Sequence, residues 1–398
     1  MMTTFSADDS ALGYYYQGLY ALLLILDEKE EASVAIENLD DVEVIVDGQT
    51  IELMQLKHHI KSIASLSNLS SDLWKTLRIW STYVHEELIN PEEVKLLLIT
   101  TARASESSVA SKLTRPNINR DNEEIVSQLL DLASSSTNSD LKSSFAAFEQ
   151  LQPNKRLAMV SSIMVIDNSP DIVDIEKRIK NKLIAVRQEH VCQVYERLLG
   201  WWTGVVVKSF TVHSAEKTIS RKAVLDKIAS VNEQFLPEAL PIDYRNAIPP
   251  ATDNIWGEDR LFIKQMRSTG ISTKRIEKAV LDYYRAYQQR SKWLGDSLII
   301  DDELENYEKK LIEEWERYYD YIKNKSDYDD TTEERCRDIG KEVYRWMEFE
   351  ADICIRKNVT EDYIMRGSYQ ILADILPPKV WWHPKFVEQI LSTLGVEG

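Results

Sequence analysis

The sharpest alternation in the chain lies between residues 41 and 57. Val42, Val44 and Val46 recur at every second position, as one face of a strand over 41–46 requires. Asp47-Gly48 is a strong two-residue hairpin signal. The return strand over 50–57 then carries Ile51 and Leu53 on one face and Met54 and Leu56 on the other. A helix is predicted over 12–26 and a further strand over 34–36. An amphipathic helix over 72–88 follows, then an apolar run over 94–99, broken only by Lys95, that suits a buried strand. The order is α-β-β-β-α-β, an α+β arrangement.

Beyond Thr101, Ser-rich connections (105–108 and 134–139) join two modest helices. A strand is predicted over 156–166 and a helix over 170–187, whose basic run 177–182 reads as a solvated face. A helix over 192–210 carries Leu198, Leu199, Trp201 and Trp202, a stripe suited to packing rather than to base stacking. Another amphipathic helix covers 220–235. Pro237, Pro241, Pro249 and Pro250 then break the pattern. This divides the chain into an N-terminal domain (1–235), a Pro-rich linker (236–258) and an all-α C-terminal domain (259–398). Helices are predicted there over 261–266, 272–293, 302–323 and 332–357, with Trp293, Trp315 and Trp346 between them.

Composition narrows the classes. The 398 residues suit two or three domains, and 43% hydrophobic content is enough for real cores. No apolar run is long enough to span a bilayer, and the start MMTTFSADDS does not read as a signal peptide. Cys192, Cys336 and Cys354 lack metal or disulfide spacing and read as isolated buried thiols, so a cytoplasmic protein is expected. No phosphate-cradling glycine loop points to an ATPase.

The hairpin places acidic residues at the head of one strand and Gln-x-Lys at the tail of the next. Hydrolysis of a phosphodiester needs a carboxylate and a second oxygen ligand for a hard cation, Mg²⁺ or Mn²⁺, with a lysine beside them. Register decides which aspartate serves. A two-residue loop pairs Val42 with Leu53, Val44 with Ile51 and Asp40 with Gln55. A three-residue loop or a bulge shifts the pairing by one and sets Asp41 opposite Gln55. Pattern alone leaves both open. His58 and His59 point to opposite sides of a strand and cannot act as a pair.

Gly13, Gln17, Glu37, Asp40-Asp41-Val42 and Gln55-Leu56-Lys57 resemble the restriction-endonuclease-like PD-(D/E)xK superfamily. The likeness is to its defence-effector branch with Gln-x-Lys, as in nuclease domains attached to cyclic-nucleotide sensors. In that branch an aliphatic residue follows the metal-binding aspartate, as Val42 follows Asp41. The resemblance implies Asp41, Gln55 and Lys57 as the catalytic set, Asp41 and Gln55 on the metal, and Glu37, Asp40 and Gln17 in support.

In the tail, Phe262–Met266, Asp282–Ala286, Gln289–Leu294, Met365–Asp374 and Trp382-His383-Pro384 resemble the C-terminal domain of ABC-three-component defence proteins. Gln370 stands where that family often has histidine, and Trp381 where it often has glycine. His383 is expected to be a satisfied structural histidine. Such a head on such a tail resembles the A subunits (LmuA) of Lamassu antiphage and anti-plasmid systems. That implies a double-stranded DNA endonuclease held inactive by an SMC-like ABC ATPase and a small third subunit, and active as a homo-oligomer, expected to be a tetramer. The alternative is a non-catalytic scaffold of nuclease-like fold that grips DNA or the SMC subunit. A nuclease coupled to a cyclic-nucleotide sensor fits less well, because the tail lacks the strand alternation of such a sensor.

The net charge of −17 is awkward for a DNA-binding protein. Locally, Lys57, His58, His59, Lys61, Lys75, Arg78 and Arg103 gather at or after the hairpin, while much acid sits late, over 301–316 and 327–334. Weak DNA binding by the lone subunit, strengthened by assembly, is therefore expected.

Overall fold

The computed structural model describes residues 7–59, 64–211, 217–250, 260–325, 332–386 and 388. Two compact units meet in sequence between Asn232 and Glu233.

The first unit is built on a mixed sheet. Its strands are β1 (Ala32–Ile36), β2 (Val42–Val46), β3 (Gln49–Lys57), β5 (Lys95–Thr100), β7 (Ile163–Ile166) and β8 (Ile219–Ser220), ordered β7-β5-β3-β2-β1-β8. β1, β2 and β3 form an antiparallel meander, while β5 and β7 add in parallel beyond β3. Two short strands, β4 (Ser65–Leu66) and β6 (Arg103–Ala104), pair by themselves. Helix α1 (Ala7–Asp27) precedes the meander and α2 (Ser71–His85) joins it to β5. The turn between β2 and β3 is Asp47-Gly48, with φ of 51° and 77°, the left-handed pair that a two-residue hairpin demands.

Leu53, Leu96, Leu98, Ile163 and Val165 share one core with Leu73, Trp74, Leu77 and Trp80 of α2. That core also takes in α3 (Val109–Leu113), α4 (Asn122–Ser135), α5 (Lys142–Gln150) and α6 (Pro153–Ser162). Trp74 meets Phe145 edge to face with ring centroids 4.6 Å apart. Helix α1 lies against β1 and packs with α7 (Ile172–Lys182) and α8 (Val191–Thr211); α9 (Arg221–Glu233) closes the unit.

The strand expected over 156–166 is a helix for most of its length. Pro153 sits in the first turn of α6, where its missing N–H costs nothing. Arg156 turns back to donate to the main-chain oxygens of Phe148, Glu149 and Leu151. Only residues 163–166 are extended. In place of two modest helices, four occupy the stretch between β6 and β7.

The second unit is helical: α10 (Leu261–Ser268), α11 (Thr273–Gly295), α12 (Asp301–Asn324), α13 (Glu333–Phe349) and α14 (Asp362–Asp374). α13 stops eight residues short of the expected end, because Glu350 and Ala351 both fold back onto the Trp346 oxygen. Arg356, expected in the helix, instead bonds the Glu303 carboxylate and the Ala239 and Leu298 oxygens. The Pro-rich stretch is bound to this unit as far as Ala247. The Pro241 oxygen accepts from Trp293 and Gln289, and the Ala247 oxygen from Arg285. Residues 251–258 of the expected linker lie outside the described residues. Trp293 and Trp315 are buried, and half-buried Trp346 stacks on Tyr318.

The tail segments singled out by sequence meet one another. A Cβ at Gly367 would lie 2.1 Å from the Asp282 oxygen and 2.4 Å from Ala286 Cβ, so α14 crosses α11 with backbones in contact. Gln265 donates to the Ala373 oxygen and accepts from the Trp382 N–H. Trp381 packs edge on against Trp315. His383 is fully buried with Nε2 3.4 Å from Glu333, and its Nδ1 has no partner among the described residues, so it is less satisfied than expected. Of the cysteines only Cys336 is buried; Cys354 is half-buried and Cys192 exposed. No helix among the described residues is long and apolar enough to cross a membrane.

Two outcomes follow from this packing. Gly367→Ala must push α11 and α14 apart, and is expected to cost about 1–3 kcal/mol in chemical denaturation. Gly200→Ala, where a Cβ meets nothing within 4 Å, should instead stabilise by up to about 1 kcal/mol. Burial pushes Asp282 up to about 6, against the pull of Arg366 and Arg285. A carboxyl raised in the fold favours folding least when ionised, so this group's contribution falls as pH rises from about 4 to 6. Asp282→Asn should therefore raise the melting temperature at pH 7.5 and much less at pH 4.5.

Candidate functional site

The hairpin is regular at its tip and offset at its base. Val46 pairs with Gln49 and Ile45 with Thr50; after the shift between Val44 and Ile45, Val44 pairs with Glu52, Glu43 with Leu53 and Val42 with Met54. Both sequence alternatives are thus present in part: a two-residue turn, then a bulge that leaves Ile51 unpaired. The pairs of the unbulged alternative, Val42–Leu53, Val44–Ile51 and Asp40–Gln55, do not form; beyond the shift the strands follow the bulged one. Continuing the observed register by one residue sets Asp41 across from Gln55.

Hydrogen bonds tie this end of the hairpin together. The Leu56 N–H donates to Asp41 Oδ2 at 2.7 Å. Lys57 Nζ donates to Gln55 Oε1 at 2.8 Å and stands 3.9 Å from Asp41 Oδ2. Gln55 Nε2 donates to Asp40 Oδ1 and, at 3.3 Å, to Asp41 Oδ1. Asp41, Gln55 and Lys57 are therefore one bonded group. Gln55 and Lys57 fall on the same face of β3 as Leu53, the face covered by α2.

Asp40 turns inward. Trp80 Nε1 of α2 donates to its Oδ2 at 2.7 Å, and both residues are buried. Tyr83, one turn further along α2, donates to the Leu39 oxygen. Sequence reasoning missed both residues; the only trace was their place on the apolar stripe of an amphipathic helix. Glu43 was missed too: it is buried and accepts from the Leu39 N–H. Glu37 adopts φ of 52°, and its N–H bonds the Asp41 oxygen, bending the chain around the site. Gln17 of α1 lies near enough to Glu37 and Asp41 to pull both carboxyls down, while its Oε1 is buried without a donor among the described residues.

Burial dominates the electrostatics. It raises Asp40 to about 7, even though hydrogen bonds from Gln55 and Trp80 pull the other way. Asp41 is raised by burial and drawn down by Lys57. Glu37 is raised by burial and by the charge of Asp41. His58 and His59 diverge as expected. His58 stacks on Tyr16 with ring centroids 4.6 Å apart and is lowered by burial; His59 Nε2 bonds Asp72 Oδ2 at 2.8 Å.

Residues 262–390 match the family model "C-terminal domain 7 of the ABC-three component (ABC-3C) systems". No curated protein matches the chain significantly. Among solved structures, the Acinetobacter baumannii Cap4 SAVED/CARF-domain containing receptor with 3'3'3'-cAAA aligns at 15% identity and a TM-score of 0.36, over 70% of this chain and 62% of that one. The same receptor with 2'3'3'-cAAA gives 15%, 0.36, 70% and 59%. Its structure described without a nucleotide gives 14%, 0.36, 72% and 62%. The chain thus spans less than two thirds of that receptor's length, and a likeness this low assigns it neither fold nor function.

The donors suit a hard divalent cation in kind, being oxygens from Asp41, Gln55, Asp40 and Glu37, with the orphaned Gln17 oxygen nearby. In arrangement they satisfy one another: the Gln55 N–H₂, not its oxygen, faces the carboxylates. No group of three or more His, Cys, Asp or Glu is set for a metal among the described residues. Trp80→Phe keeps the ring packing but leaves Asp40 Oδ2 without its donor. It is expected to cost about 1–3 kcal/mol in urea unfolding; unchanged stability would dismiss the indole as a support of the site.

Proposed function

We propose that the chain is a metal-dependent DNA endonuclease, the effector subunit of a multi-subunit bacterial defence system of the Lamassu kind. The observation that carries this reading is the bonding of Asp41, Gln55 and Lys57 into one group at the bulged base of the hairpin. The likeness to a restriction-endonuclease-like core rests on the α-β-β-β-α-β order, with the last strand parallel to β3.

In this reading Asp41 and Gln55 hold Mg²⁺ or Mn²⁺. When bound, the cation polarises the phosphodiester and lowers the pKa of a water. Gln55 must turn its amide over to present oxygen, which frees Lys57 to face the phosphate and offset charge as it builds up there. Asp40 stays against Trp80 and fixes the strand entry, while Glu37 and Gln17 steady Asp41. The C-terminal unit serves assembly: its match to an ABC-three-component domain supports docking on partner subunits, here an SMC-like ATPase and a small third protein. Self-association, expected as a tetramer, would gather several sites on one duplex and ease the mismatch between an acidic chain and an acidic substrate.

One observation favours the scaffold alternative, namely that the carboxylate group is self-satisfied by Gln55. Cleavage decides. Supercoiled plasmid with Mg²⁺ or Mn²⁺, with the protein alone and with its partner subunits, should be nicked or linearised, and a chelator should stop the reaction. Asp41→Asn and Lys57→Ala should each lower the rate about 100-fold or more. Cleavage by Lys57→Ala at the wild-type rate would remove the mechanism. Plasmid retained but uncut under every condition would favour the scaffold.

A further inference from the structure

Many cations of the first unit are already engaged. Lys57, Lys95, Lys112, Lys155 and Lys182 stand beside carboxylates, and Arg120 and Arg156 are spent on main-chain oxygens. Lys75, Arg78 and Arg103 are different. All three are exposed, and none of their side chains has an acidic or hydrogen-bonding partner among the described residues. In a chain of net charge −17, unneutralised cations gathered in one place call for an anionic occupant.

They are gathered at the end of the sheet that carries Lys57. The Thr101 N–H bonds the Lys57 oxygen, and the His59 N–H bonds Thr101 Oγ1. Arg103 follows two residues later. His59 in turn bonds Asp72 in the first turn of α2. One turn on from Asp72 is Lys75, and one more is Arg78. Helix α2 thus has two working sides. Trp80 and Tyr83 reach the acidic hairpin, while Lys75 and Arg78 face solvent, about one helix diameter (~10 Å) away. Asp72, the nearest acid on that helix, bonds His59 at 2.8 Å and makes no ion pair with Lys75 or Arg78 among the described residues. The other basic run, Lys177-Arg178, lies among Asp171, Asp174 and Glu176 on α7 and lacks this isolation.

We propose that Lys75, Arg78 and Arg103 form the track for one phosphate backbone of a DNA duplex whose reacting phosphate lies at Lys57. This rests on the nuclease reading and adds where the substrate lies. Three point charges at exposed positions read no bases; they set affinity, register and salt dependence.

The test uses the full chain and a 30-base-pair duplex labelled with a fluorophore, without divalent cation, by anisotropy across a salt series. Lys75→Ala/Arg78→Ala/Arg103→Ala should bind about tenfold or more weakly and lose about 3 from the slope of log affinity against log salt, near one per contact. Its melting temperature should match wild type. Lys177→Ala/Arg178→Ala, with a comparable loss of charge elsewhere, should bind like wild type. Equal weakening by both variants would reduce the effect to bulk charge and overturn the track. So would wild-type affinity in the triple variant, or absence of DNA binding by wild type at 50 mM salt. Displacement of the duplex by poly-glutamate as readily as by unlabelled duplex would mark an acidic protein surface instead, and also overturn it. The two readings separate cleanly: Lys57→Ala should lose cleavage while taking no more than about 1 from the salt slope, the share of its single phosphate contact, against about 3 for the triple variant. A protein that shows the slope change but never cuts would keep the track and lose the nuclease.

Discussion

The site depends on one missing pair in a sheet. β2 and β3 leave the Asp47-Gly48 turn in the register that a two-residue loop dictates. The strands shift by one after Ile45, and Ile51 is left over. Because side chains alternate with a period of two, a slip of one residue exchanges the faces of everything beyond it. Alternation sends two adjacent aspartates into different surroundings, and the slip decides which of them stands opposite Gln55. Asp41 is clamped by the Leu56 N–H beside Lys57, whereas Asp40 is turned into the core against Trp80. Without the bulge, the wrong carboxylate would stand opposite Gln55.

Glutamine at position 55 answers a problem of charge. Glu37, Asp40 and Asp41 are all raised by burial, and among the described residues Lys57 is the one cation bonded into their midst. A further carboxylate at 55 would crowd like charges into a poorly solvated space. An amide offers oxygen to Lys57 and N–H to the two aspartates at once. The group can therefore fold with its polar atoms matched before any cation arrives.

Much of this was legible in the residues and some was not. The Asp-Gly turn, the meander and the α-β-β-β-α-β order follow from local alternation and a left-handed turn, both of which sequence records. The bulge does not: apolar matching favours the unbulged register, where Val44 would meet Ile51, whereas the observed register gives it Glu52. Residues 156–162 misled for another reason: Leu157, Met159 and Val160 satisfy a strand and a helix alike, and Pro153 with the reach of Arg156 decided for helix. Trp80 and Tyr83 read as core residues. Their second role, donating to Asp40 and the Leu39 oxygen, depends on which strand end lies beneath them. In the tail, the quoted segments were recognisable as a set before their reason was visible: they are the surfaces on which α10, α11, α14 and the Trp382 segment touch.

Gly367 carries a mechanical consequence. Where two helices are separated by side chains, rotamers can adjust and absorb a small displacement. At this crossing the Asp282 oxygen occupies the space a Cβ would need, so there is no layer of side chains to deform. Close-packed matter of this kind transmits strain instead of dissipating it. A push on α14 must move α11 as one piece, and the C-terminal unit behaves at that point as a stiff lever rather than a tether.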